Sequence, residues 1–307
     1  MWQNVRRLLL SVLMLAPTAG CAGPRTTASG DDNGALEPGV HQLRFMHGGR
    51  MREARVFVPT AARGSRALPL VLAFHGGGGN ANQFATHSGI ERVAAREGFI
   101  AAHPDGTGRL RLHTFNAAPD CCGPANDQDV DDVGFTLALL DTLQRRIGYD
   151  AGRVYATGHS NGAMMSYRLA MEAGQRFAAI APVAAAQRVH DRAGTRPMPV
   201  LHIHSVDDDR ALYDGGLGPP FPLTQRRVQH PPVDSVLADW RAVNGCRGDG
   251  KVTERRQARA GTRDAGQSAE RIEWNDCRSG APVHHLRMSQ VGHAWPGDEG
   301  AAAREAL

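Results

Sequence analysis

The apolar positions of this chain fall into two kinds of run. The first kind is short and continuous: "LPLVLAF" from Leu68, "GFIAA" from Gly98, "RVYATG" from Arg153, "FAAIAPVAAA" from Phe177 and "MPVLHIHS" from Met198. Continuous runs of four to eight apolar residues predict strands buried on both faces, as in a parallel sheet. The second kind recurs at helical spacing. "SGIERVAARE" predicts a helix capped by Ser88. "DDVGFTLALLDTLQRRIG" predicts another, opened by Asp131 and Asp132 and stopped by Gly148, with Val133, Leu137, Leu140 and Ile147 on one stripe. "GAMMSYRLAME" and "PVDSVLADWRAVNGC" predict two more, and "HHLRMSQVGHAWPG" reads as a last strand and its exit loop.

Strands therefore alternate with helices, which predicts one α/β domain over residues 39–307, a mostly parallel sheet with helices on both faces. Two alternating runs flank Gly48-Gly49 and predict a hairpin at its start. Residues 106–131 read as a long loop, and 247–270 as a charged surface excursion.

The first 22 residues stand apart. Arg6 and Arg7 precede an apolar run from Leu8 to Ala16 and then small residues, the pattern of a secretory leader and too short for a spanning helix. Thr18-Ala19-Gly20-Cys21 is similar to a bacterial lipobox, with Cys21 as the lipidated residue and a membrane tether as the consequence; ordinary cleavage after Ala22 competes. Residues 23–38 read as a flexible linker. The expected location is secreted or held at the cell envelope.

An exported chain changes how its cysteines are read. Setting Cys21 aside leaves Cys121, Cys122, Cys246 and Cys277. Of the three connectivities, Cys246 with Cys277 is preferred, and Cys121-Cys122 is then a vicinal bridge or two thiols; all four could also be buried and reduced. The net charge of +4 is mild, and Lys251 is the one lysine among scattered arginines, so no nucleic-acid footprint is expected.

Candidate chemistry centres on Gly158-His159-Ser160-Asn161-Gly162. A G-x-S-x-G arises by chance in roughly one such glycine-rich sequence in seven, so context decides. Here a strand precedes it and a helix follows, which suits a nucleophile on a sharp elbow. The Asn161 N–H would then lie at a helix start, where a developing oxyanion is favoured. His293, in a glycine-flanked loop after the last strand, is the candidate base among fourteen histidines. The orienting acid should follow "VLHIHS", where Asp207, Asp208 and Asp209 are equivalent on this argument. His75-Gly76-Gly77-Gly78-Gly79 stands where a second oxyanion donor is needed, with Gly76 and Gly77 as candidates. His202 and His204 share a strand face, but no third ligand has sensible spacing, so they read as hydrogen-bonded core and no metal site is expected.

Taken together, "LVLAFHGGGGN", "DDVGF", "RVYATGHSNGAMMSYRLA", "FAAIAPVAA", "PVLHIHSVDD" and "GHAWPG" resemble the extracellular poly(3-hydroxybutyrate) depolymerase-type esterases, which include feruloyl and acetyl-xylan esterases. The resemblance implies an α/β-hydrolase fold, no cofactor, and a serine esterase acting on an oligomeric hydroxyalkanoate or a plant-wall ester. It implies Ser160 as nucleophile and His293 as base. It selects Asp208 by matching "HSVDD" to the family's acid motif, and sets Trp295 beside the site. Two departures accompany it. Asp214–Pro232 is long and proline-rich, as a lid or substrate-contact loop would be. The chain also ends soon after His293, so a non-catalytic binding protein on the same scaffold is the other class of function considered.

Overall fold

The computed structural model describes residues 34–63, 67–109, 112–119, 121–221, 225–262 and 264–296. The leader read at 1–22, Cys21 with it, and the linker as far as 33 lie outside the described residues.

β1 (Gly39–His47) and β2 (Arg50–Val58) form the expected hairpin; Gly48 and Gly49 turn it at φ of 57° and 73°, angles that a side chain would disfavour. Next come β3 (Leu70–Phe74), α1 (Ala81–Ser88), α2 (Ile90–Glu97) and β4 (Ile100–Pro104). β5 (Thr107–Arg109), β6 (Leu112–Thr114) and the short α3 (Pro124–Asp127) precede α4 (Asp132–Arg146). Then follow β7 (Val154–His159), α5 (Asn161–Glu172), β8 (Ala179–Val183) and β9 (Val200–Ser205). The small pair β10 (Gly216–Leu217) and β11 (Gln229–His230) leads to α6 (Val233–Asn244), β12 (Lys251–Gln257), β13 (Ser268–Trp274) and β14 (Val283–Ser289).

One ten-stranded sheet runs β1-β2-β4-β3-β7-β8-β9-β14-β13-β12. Neighbours from β4 to β14 are parallel, and antiparallel strands extend both edges. The central strands bear out the reading of continuous apolar runs: every residue of β4 is buried, and of β3 all but Val71. α5 packs across β3, β7 and β8, with Met165, Tyr167 and Leu169 wholly buried.

Several elements differ from the sequence reading. α1 went unread: its cap is Asn80, whose side chain accepts from Gln83 N–H at 3.0 Å. Ser88 ends α1 and does not start α2, because Gly89 sits between the two at φ 70°. α4 buries Phe135, Leu139, Leu140 and Leu143, a stripe rotated from the expected one. The rotation also buries Asp132, whose carboxylate meets Arg52 at 2.5 Å and accepts from Asn116 N–H at 2.7 Å. The long loop contains the β5–β6 hairpin and α3, tied by Asn116 and Asn126 side chains and not by an apolar pattern. β12 replaces part of the surface excursion; all seven of its residues are exposed, so burial left no periodicity to read. Leu36 leaves the linker and is buried, its N–H donating to Arg146 O at 3.0 Å.

The interior holds several histidines. Burial pushes His103 on β4 and His285 on β14 down to about 4. Both stay neutral in the fold while an unfolded imidazole would take a proton below about 6.5. Their contribution is therefore complete above pH ~6.5 and lost as the pH falls toward 4, at about 1.4 kcal/mol per histidine per pH unit. Urea titrations at stepped pH should show a plateau near neutrality and a steep fall in midpoint from pH 6.5 to 4.5, shallower in His103→Gln.

Candidate active site

β7 and α5 are joined by a single residue. Ser160 takes φ 55° and ψ −118°, a backbone conformation rare outside glycine, while its N–H donates to Val183 O at 2.9 Å. The two flanking glycines make the bend possible. A Cβ on Gly158 would lie 2.4 Å from Gly162 O, and one on Gly162 would lie 2.2 Å from Phe74 O. Three backbone segments thus meet where no side chain fits, and the serine is thrust out at the end of the sheet.

The sequence-predicted residues come together there. His293 Nε2 is 3.0 Å from Ser160 Oγ, and His293 Nδ1 is 2.8 Å from Asp208 Oδ2. Asp208 is buried at the turn after β9, with Oδ1 accepting from the N–H groups of Arg210 and Ala211 at 2.8 Å each. Burial alone would raise its carboxyl, but hydrogen bonds from His204 and His293 outweigh burial and hold it well below the usual carboxylate range. Its neighbours are placed otherwise. Asp207 accepts from Ser205 Oγ at 2.5 Å and from Gln290 N–H at 2.9 Å, which ties the β9 turn to the loop carrying His293. Asp209 is exposed.

Gly76 and Gly77 leave β3 beside the bend: a Cβ on Gly76 would lie 3.5 Å from Ser160 Cβ, and one on Gly77 3.5 Å from Asn161 Cβ. The Gly78 N–H donates to His113 O on β6 at 2.9 Å, and the Gly79 N–H to Gly76 O within the loop at 3.0 Å. His75 fixes the loop, since Gly106 N–H donates to its Nε2 at 3.0 Å and its Nδ1 donates to Gly76 O at 2.8 Å. Asn161 directs its side chain inward, bonding both backbone groups of Phe115. Trp295 packs edge-on to Phe84 at 5.1 Å between ring centres, and its N–H donates to Ser88 O.

Other residues at the site carried no sequence signal. His159 lies 4.8 Å from the His293 ring, and burial, then the neighbouring His293, push it down to about 3, so it stays neutral beside that ring. His230 on β11 and Phe221 wall a cavity of about 160 Å³ beside Ser160, with Met164 and Cys121-Cys122. Both come from the proline-rich segment, whose length was the one hint. On the other side of His293, the glycine loop, Phe84 and Trp295 line a wider cleft of about 580 Å³. Cys246 is bonded to Cys277, and Cys121 to Cys122. His202 and His204 are hydrogen-bonded core, and among the described residues no group of three or more His, Cys, Asp or Glu is arranged to hold a metal.

The profile of the esterase PHB depolymerase family matches residues 53–273. The chain belongs to that family. The esterase is 32% identical over 254 residues to "Putative esterase NocK" of Nocardia uniformis subsp. tsuyamanensis, covering 81% of this chain and 72% of that protein. It is 28% identical over 253 residues to "Feruloyl esterase B" of Piromyces equi, covering 79% of this chain but 42% of that protein, so it spans under half of that relative. An acetyl xylan esterase from Aspergillus awamori has the same fold, with a TM-score of 0.57 at 14% identity, covering 83% of this chain and 94% of that one. The fold is that of the α/β-hydrolases, and the esterase is a hydrolase of carboxylic esters.

The bend gives a direct test. Gly162→Ala should lower stability by about 3 kcal/mol or leave the protein insoluble, because its new methyl would meet the Phe74 and His75 carbonyls. Urea midpoints read this, with Gly152→Ala, where a Cβ would meet only Asp150 Oδ1 at 3.4 Å, as the uncrowded control.

Proposed function

We propose that the protein is an exported serine esterase in which Ser160 is the nucleophile, His293 the base and Asp208 the acid that orients it. The observation carrying this is the unbroken contact from Ser160 Oγ through both ring nitrogens of His293 to Asp208. His293 takes the Ser160 proton as Oγ bonds to the ester carbonyl carbon. The N–H groups of Gly76, Gly77 and Asn161 receive the oxyanion. His293 then protonates the leaving alkoxide, the alcohol departs, and the acyl group remains on Ser160. Water, deprotonated by His293, attacks the acyl-enzyme and the carboxylic acid is released with Ser160 restored.

The relatives' names include esters of hydroxycinnamic and acetic acids, and the family name a hydroxyalkanoate polymer. The cavity beside Ser160 favours a short acyl group. At about 160 Å³ it is near the size of a cavity that admits benzene, which suits four-carbon acyl groups and is small for a feruloyl group. The wider cleft past His293 has room for the alcohol portion of an oligomer. Export to an oxidising compartment fits the two disulfides, and a lipid on Cys21 would tether the enzyme to a membrane.

Ser160→Ala should lose fluorophosphonate labelling and at least about 10³-fold in ester hydrolysis, with an unchanged urea midpoint. Folded wild-type protein that takes no label would favour the non-catalytic scaffold. On a panel of p-nitrophenyl butyrate, hydroxybutyrate trimer and methyl ferulate, the first two should be cleaved at least tenfold faster; preference for the ferulate would reverse the acyl assignment.

A further inference from the structure

From Asp208 a line of polar side chains runs into the core. His204 and His202 lie two apart on β9, 1% and 0% exposed, and Tyr167 on α5 is 0% exposed. Tyr167 Oη is 2.7 Å from His202 Nδ1, His202 Nε2 is 3.2 Å from His204 Nδ1, and His204 Nε2 is 3.1 Å from Asp208 Oδ2. His204 Nε2 is also 2.8 Å from Ala211 O.

These contacts determine where each proton sits. Ala211 O and the Asp208 carboxylate can only accept, so the His204 proton is on Nε2. The fully buried Tyr167 O–H has His202 Nδ1 as its hydrogen-bond partner among the described residues and donates to it. His202, held neutral by burial, then carries its proton on Nε2 and donates it to His204 Nδ1. Burial pushes the Tyr167 hydroxyl up and His202 down, so one keeps its proton and the other stays neutral. Every bond in the line donates in one direction, toward Asp208. The carboxylate consequently has two donors on each oxygen: Arg210 and Ala211 N–H on Oδ1, His204 and His293 on Oδ2.

We propose that Tyr167, His202 and His204 form a one-way chain of hydrogen-bond donors that fixes the rotation of the Asp208 carboxylate, making His204 a positioning residue for ester cleavage. The inference rests on the esterase reading given above. With two backbone donors on Oδ1, His204 is, among the described residues, the side chain besides His293 that bonds Oδ2 and so restrains the oxygen His293 uses. Aligned donors in a dry interior polarise one another, so loss of the far end weakens the near one.

The test compares kcat and KM on p-nitrophenyl butyrate for the full-length protein and five variants. His204→Ala should lower kcat about 30-fold or more with KM within threefold. His204→Gln, whose side-chain amide keeps an N–H near the position of Nε2, should recover most of the loss. Tyr167→Phe removes one hydroxyl and should lower kcat threefold to tenfold. Val200→Ala, at the other end of β9, should lower the urea midpoint and leave kcat unchanged, which separates positioning from stability. Should His204→Ala not fold, Tyr167→Phe decides the matter. Wild-type kcat in Tyr167→Phe, or full kcat in folded His204→Ala, overturns the chain. Ser160→Ala in the same assay keeps the two ideas apart. If it stays active, the esterase reading fails and takes the chain with it; if it is dead while His204→Ala is fully active, the chain alone fails.

Discussion

Everything at the active end of this molecule depends on how closely three backbone segments approach one another. The exit of β3 at Phe74 and His75, the end of β7 at Gly158 and the first turn of α5 at Gly162 pack with no Cβ between them. That closeness forces Ser160 to a positive φ and lets its hydroxyl stand clear of the sheet. It also sets the glycine loop against the same serine, since Gly76 follows directly from the strand that Gly162 touches. Strain at one residue is thus held by β3, buried at all but one residue, and by β7 paired with it.

A second constraint is electrical. Asp208 is a carboxylate with almost no access to water, and it survives ionised because four donors converge on it. The histidines around it have the opposite problem. His159, His202 and His230 are all held neutral by burial, so these rings add polarity around the carboxylate without adding charge.

Much of this was legible from the residues alone. Continuous apolar runs marked the parallel strands because both faces of each are covered. The serine bend was legible because its glycines are steric necessities. The choice of Asp208 over Asp207 and Asp209 was not: the three follow one strand, and their difference is made by Arg210 and Ala211 N–H groups and by the loop that Asp207 ties down. α4 was turned wrongly because Asp132 looked like a helix-opening acid at the surface; its partner Arg52 is eighty residues away. His230 and Phe221 come from a segment whose composition says loop and whose neighbours are set by tertiary packing. Contacts distant in sequence, made by polar groups, left no periodic trace.

The outer border of the sheet has its own significance. β12 presents a free row of peptide groups, the kind of margin on which a second molecule could lay down another strand. Its side chains include Lys251, Glu254, Arg255 and Arg256, charges of both signs along seven exposed residues. A copy arriving in register would set like charges opposite one another at several steps. The margin consequently discourages stacking into fibrils.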